Sequence, residues 1–130
     1  MALAAVIALF IIGSISGGSS PPTPTSPCQF DWRQCTDNSD LVNNYGNISL
    51  IQSQCKSSAT ELAKYGEPKF PFISFGSFYS GTNYVKSGQL ILTEKDAQFQ
   101  NGFGAMVHST VICQYDLNTG KILDINILQK

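Results

Sequence analysis

The chain opens on a run without a charged or strongly polar side chain. Residues 1–12 are all apolar, and Gly13, Ser14, Ile15 and Ser16 add only weak interruptions. The run is apolar all round rather than striped, which does not suit a helix packed on a globular core. Fifteen or so helical residues rising about 1.5 Å each reach roughly 23 Å, against ~30 Å of bilayer hydrocarbon. The pattern predicts an apolar N-terminal helix over 1–16 acting as a transmembrane anchor. The alternative is a signal segment cleaved near Ser16, leaving a secreted protein. An anchor of this orientation carries basic residues on its cytoplasmic side, and none is present here. The expectation is therefore a start upstream of Met1.

Residues 17–27, GGSSPPTPTSP, hold four prolines and no large apolar side chain. Such a stretch buries too little apolar surface to offset its ordering entropy, so it reads as an extended linker. The folded domain is then 28–130, exported to the periplasm or outside the cell, with enough residues for one modest core.

Within it, the spacing of Ile51, Cys55, Ala59, Leu62 and Ala63 predicts the main helix over 50–65. Ser49 and Gln52 are placed as a capping box, and Gly66 with Pro68 as the stop. SDLVNNYG (39–46) reads as a shorter helix, with DNSD (37–40) as its cap. After Pro71 the period changes to two. VKSGQLILTE (85–94) reads as a strand and KDAQFQNG (95–102) as a helical turn. FGAMVHSTVICQYD (103–116) is a strand with its odd positions inward. A turn at Asn118-Thr119-Gly120 leads into KILDINIL (121–128), with Leu123, Ile125 and Ile127 on one face. The fold class expected is α+β, an antiparallel sheet of three or four strands with one main helix across one face.

Net charge is −1 and charged residues make up 13%, against roughly 25% in ordinary soluble chains. With no Lys/Arg cluster, the electrostatic footprint of a nucleic-acid binder is missing. The cysteines change the picture more. Four in an exported domain of this size point to two disulfides. Cys28 and Cys35 are close enough in sequence to close a local loop. Cys55 lies on the helix's apolar stripe and Cys113 on the apolar face of the best strand, so Cys28–Cys35 with Cys55–Cys113 is the preferred pairing. No C-x2-C or histidine pair supports zinc.

No metal, cofactor or catalytic constellation is expected. His108, the only histidine, sits on the outward face of a strand. Arg33 stands beside Trp32, placed to stack on that ring or to pair with Asp31. The acidic residues form no evident pair, and neither a phosphate loop nor a G-x-S-x-G elbow is present. DNSD lacks the glycine and glutamate of a calcium loop. KFPFISFGSFYSGTNY is harder to dismiss, because Phe70, Phe72, Phe75, Phe78, Tyr79 and Tyr84 fall within fifteen residues. These rings either complete the core and cover a sheet edge, or form a binding surface for a protein, glycan or lipid.

At CQFDWRQCTDNSDLVNNY, KYGEPKFPF and DAQFQNGFGAMVHSTVICQYDL the chain resembles small membrane-anchored bacterial envelope proteins of unknown function. They share the order of apolar N-terminus, Pro/Thr/Ser linker and cysteine-containing domain. The resemblance covers most of 28–117 and implies an envelope location and a longer N-terminus, without implying an activity. The expected function is a non-enzymatic binding or envelope-interaction domain, with a small envelope hydrolase as the alternative.

Overall fold

A computed structural model describes residues 26–129; the expected anchor over 1–16 and all but the last two residues of the linker lie outside them. No helix among the described residues is long and apolar enough to cross a membrane.

The domain begins with two short 3-10 turns, Pro27–Gln29 and Trp32–Gln34, closed into a loop by the Cys28–Cys35 disulfide with Cα atoms 4.4 Å apart. Arg33 lies 4.5 Å from the Trp32 ring centroid and 3.8 Å from the Asp31 carboxylate, so it makes both of the contacts its neighbours suggest. Helix α1 (Asn38–Asn44) starts at Asp37, whose carboxylate accepts the Asp40 N–H at 2.8 Å. Asp40 in turn accepts from the Thr36 N–H and the Asn44 amide, and these bonds hold its carboxyl below the ordinary range.

Helix α2 (Ile48–Glu61) buries Ile48, Ile51, Cys55 and Ala59. Three details differ from expectation. The cap is Asn47 rather than Ser49, and no side chain bonds to the first turn. Gln52 turns instead to the Phe75 carbonyl, donating at 3.1 Å, because a fixed backbone acceptor lies within its reach. The helix also ends four residues early. Leu62 and Ala63 donate to carbonyls three residues back, tightening the last turn, and Leu62 is left 52% exposed.

The sheet is a four-stranded antiparallel meander in the order β1 (Ser77–Phe78), β2 (Gln89–Gln100), β3 (Met106–Asp116), β4 (Lys121–Gln129). The strand expected over 85–94 starts only at Gln89. Tyr84–Ser87 form a single helical turn, α3, which Gly88 ends at φ +72°. Lys95–Gln100 of KDAQFQNG are strand rather than helical turn, and only Asn101-Gly102 turn. The register slips between Glu94 and Ala97, so the buried set passes from Leu90, Leu92 and Glu94 to Ala97 and Phe99. One bulge interrupts the period of two and conceals a single long strand. A second slip in β4 has the same effect: Leu123 is 50% exposed, and Ile122 takes the inward place beside Ile125 and Ile127. On β3 the odd positions from Ser109 to Tyr115 are buried as expected. Phe103 and Ala105 belong to the exposed turn before the strand, which Asn101 organises by accepting from both N–H groups.

Helix α2 packs across the buried face of the sheet, and Cys55–Cys113 joins the two with Cα atoms 6.0 Å apart. The core lies between them, with Leu41, Ile51, Phe75, Tyr84, Leu90, Leu92 and Val111 fully buried.

Candidate functional site

The aromatic stretch runs antiparallel to β2 as an interrupted edge. Lys69 exchanges both backbone hydrogen bonds with Gln98, at 2.8 and 2.9 Å, and Tyr79 donates to Ile91 at 3.0 Å. Between these ties the chain uses more residues than β2 does opposite, so it loops outward. The loop is pinned at Phe75, the one non-glycine residue with positive φ (59°) among the described residues. Such a backbone is unfavourable for a residue with a Cβ unless its surroundings hold it. Here the Phe75 N–H donates to the buried Glu94 carboxylate at 2.9 Å, and its carbonyl accepts from Gln52. The second oxygen of Glu94 accepts the Asp96 N–H at 2.8 Å, across the β2 bulge. The bulge, the helix and the loop are thus tied at one carboxylate.

The six rings divide into three pairs. Phe75 and Tyr84 are core, at 0% and 1% exposure. Phe70 and Phe78 are half-buried; Phe70 packs edge-on against Phe99 at 5.9 Å and lies 6.1 Å from Phe75. Phe72 and Tyr79 are exposed, Phe72 completely. The core-and-edge reading therefore describes most of the stretch, and the surface reading survives at the loop's apex. There Phe72 is joined by Ile73, 72% exposed, which the aromatic count overlooked. The two residues form one wall of a groove of about 400 Å³, with Ser49, Gln52, Ser53 and Lys56 of α2 opposite. Lys56 stands 5.8 Å from the Phe70 ring, so its ammonium overlooks the groove from an aromatic platform. The lining suits a ligand with an apolar face and an acceptor group.

Glu94 was also overlooked, although the alternation of Leu90, Leu92 and Glu94 in QLILTE signals an acid on an otherwise apolar face. Of the other candidates, His108 is exposed opposite Gln98, and no hydrogen bond joins it to a carboxylate or a serine among the described residues. Cys28, Cys35 and Asp40 place possible ligand atoms within 4.8 Å of one another, but both sulfurs are spent in the disulfide and offer no thiolate. The Asp116 carboxyl, despite the opposing effect of desolvation, is held low by Asn118 and Thr119, which close the β3–β4 turn.

Comparison with known proteins gives no match to a family, a curated protein or a solved structure.

Proposed function

We propose that 28–130 is an exported, membrane-tethered binding domain without catalytic activity, and that the loop apex at Phe72 and Ile73 is its contact surface. The observation that carries this reading is a fully exposed phenylalanine beside a mostly exposed isoleucine on a pinned backbone. Exposed apolar pairs gain nothing from water. Held in one conformation, they spare a partner much of the ordering entropy that a free loop would lose on binding. Aromatic anchors surrounded by polar groups are the usual energetic centres of interfaces, and the groove supplies Ser49, Ser53 and Lys56 around them.

Export and tethering rest on the apolar run over 1–16, the proline-rich spacer and the envelope-protein resemblance. The two disulfides suit an oxidising compartment. The hydrolase alternative has no specific observation in its favour: among the described residues, no hydrogen bond joins His108 to a carboxylate or a serine.

The test replaces Phe72 with a photo-crosslinking phenylalanine in the full chain, in intact cells, with the same probe at exposed His108 as control. Adducts at position 72 several-fold above the control are expected, and their chemistry identifies the partner as protein, glycan or lipid. Equal yields at the two positions would remove the loop from consideration. A periplasm-active reporter fused after Lys130 should be active; activity confined to cytoplasm-active reporters overturns the topology.

A further inference from the structure

The sheet has two edges, and the chain treats them differently. On the β2 side, segment 69–79 lies along the strand, with its backbone bonded to Gln98 and Ile91 and its Phe75 N–H bonded to Glu94. The outermost strand there, β1, is only two residues long, which blunts that edge. On the other side β4 pairs only with β3, and no hydrogen bond from its outward N–H and C=O groups reaches any described residue. An open edge is a template for another strand, and proteins usually blunt it with charge, proline or a bulge. The first half of β4 has such devices: Lys121, Asp124 and the bulge at Leu123. From Ile125 to Gln129 there is neither charge, proline nor register slip.

We propose that this half-strand is a self-association edge, where two copies pair β4 to β4 in antiparallel register and join two four-stranded sheets into one. A two-fold axis at Ile127 sets Ile127 against its own copy, Ile125 against Gln129 and Asn126 against Leu128. Opposed residues then share a sheet face, as antiparallel pairing requires. Ile125 and Ile127 face the core yet remain only half-buried, and a partner strand covers them.

Two observations favour a second copy over a foreign strand. The first is closure: the paired sheet keeps only its two outer edges, each ending in the two-residue strand β1, which is too short to template a further strand. The second is the border of the strand. Ile127 and Gln129 share a cavity of about 310 Å³ with Leu62 and Tyr65 of the α2 terminus, which are 52% and 49% exposed. Both α2 helices then lie on the same face of the joined sheet. Tyr65 stands against Gly102 of the β2–β3 turn and Lys64 also lines the cavity, so Leu62 is the exposed apolar residue this segment offers beside β4. A net charge of −1 offers little repulsion between copies.

The test is sedimentation equilibrium of the full chain in density-matched detergent. The wild type should show a concentration-dependent dimer. Asn126→Lys with Leu128→Lys places like charges opposite one another across the axis and should raise the dissociation constant about tenfold or more. Both positions are exposed, so an unchanged far-UV spectrum and melting temperature are expected. Asn126→Glu with Leu128→Glu should likewise fail to self-associate, and mixing the lysine and glutamate chains should restore a heterodimer. A wild type that stays monomeric at all concentrations overturns the proposal and leaves the edge to another protein's strand. A dimer indifferent to both charge pairs overturns it equally, because its contact then lies elsewhere.

Discussion

Tyr84 is 1% exposed, and its hydroxyl has no hydrogen-bond partner among the described residues. Burial first, and the neighbouring Tyr79 second, push the phenol up to about 12. The protonated, neutral form is the one the fold favours. Its contribution to stability is therefore complete below the ordinary phenol value near 10 and is lost as the pH rises from there through about 12. Tyr84→Phe should abolish that alkaline loss. At neutral pH it should be neutral, or stabilising by up to about 1 kcal/mol, since it removes an orphan hydroxyl and keeps the ring. Urea midpoints at pH 7 and pH 11 decide; an alkaline loss equal to wild type's would show that the phenol is not its source. Glu94 is the opposite case, a buried acceptor fully used. Glu94→Ala leaves the Phe75 N–H buried without a partner, for roughly 1–3 kcal/mol, and frees a residue held at positive φ. The melting temperature should fall, and proteolysis near Phe72 should accelerate. A loop that stays resistant would mean that Gln52 and the edge bonds suffice.

Strands β2 and β4 show what periodicity reveals and what it conceals. Leu90, Leu92 and Glu94 alternate correctly, and so do Ala97 and Phe99, but the two sets differ in phase because Lys95 and Asp96 are both exposed. A pattern that shifts phase in mid-strand is read as a strand followed by something else. β3 carries no such shift within its buried run, Ser109 to Tyr115, and that run was legible, although the strand starts at Met106 rather than Phe103. The junction before β2 depends on Gly88, where a Cβ would meet the Asn118 side chain and the backbone sits at φ +72°. Its carbonyl also accepts the Leu117 N–H at 2.7 Å, linking the start of β2 to the end of β3. Gly88→Ala should destabilise the domain by roughly 1–2 kcal/mol. For about 100 residues that lowers the melting temperature by approximately 4–16 °C. An unchanged melting temperature would show that the turn relaxes freely.

The two disulfides constrain the whole chain unequally. Cys55–Cys113 spans 58 residues and Cys28–Cys35 spans 7. On the chain-entropy account the long bridge contributes about 4 kcal/mol and the short one about 2.5 kcal/mol. Paired Cys→Ala variants should rank in that order by denaturant midpoint, with the long-bridge variant close to unfolding at 37 °C; the reverse order would refute the entropic reading. Both pairings followed from local pattern, since a helix stripe and a strand face that must share one core bring their cysteines together. The α+β class, the presence of α1 (found at Asn38–Asn44 against an expected 39–46), the Asp37 cap and the hairpin at Gly120 were local in the same sense. Each depends on residues within one or two turns of one another. The site was not local. Whether Phe72 lies in water and Phe75 in the core depends on Glu94 and Gln52, 19 and 23 residues from Phe75. Alternation at Leu92 and Glu94 marked the acid but not its donor. The open edge at β4 likewise belongs to no segment, because a strand is an edge only relative to strands that lie elsewhere in the chain. Short-range patterning set the elements and the disulfide framework; long-range hydrogen bonding and packing chose which apolar residues were left exposed to solvent.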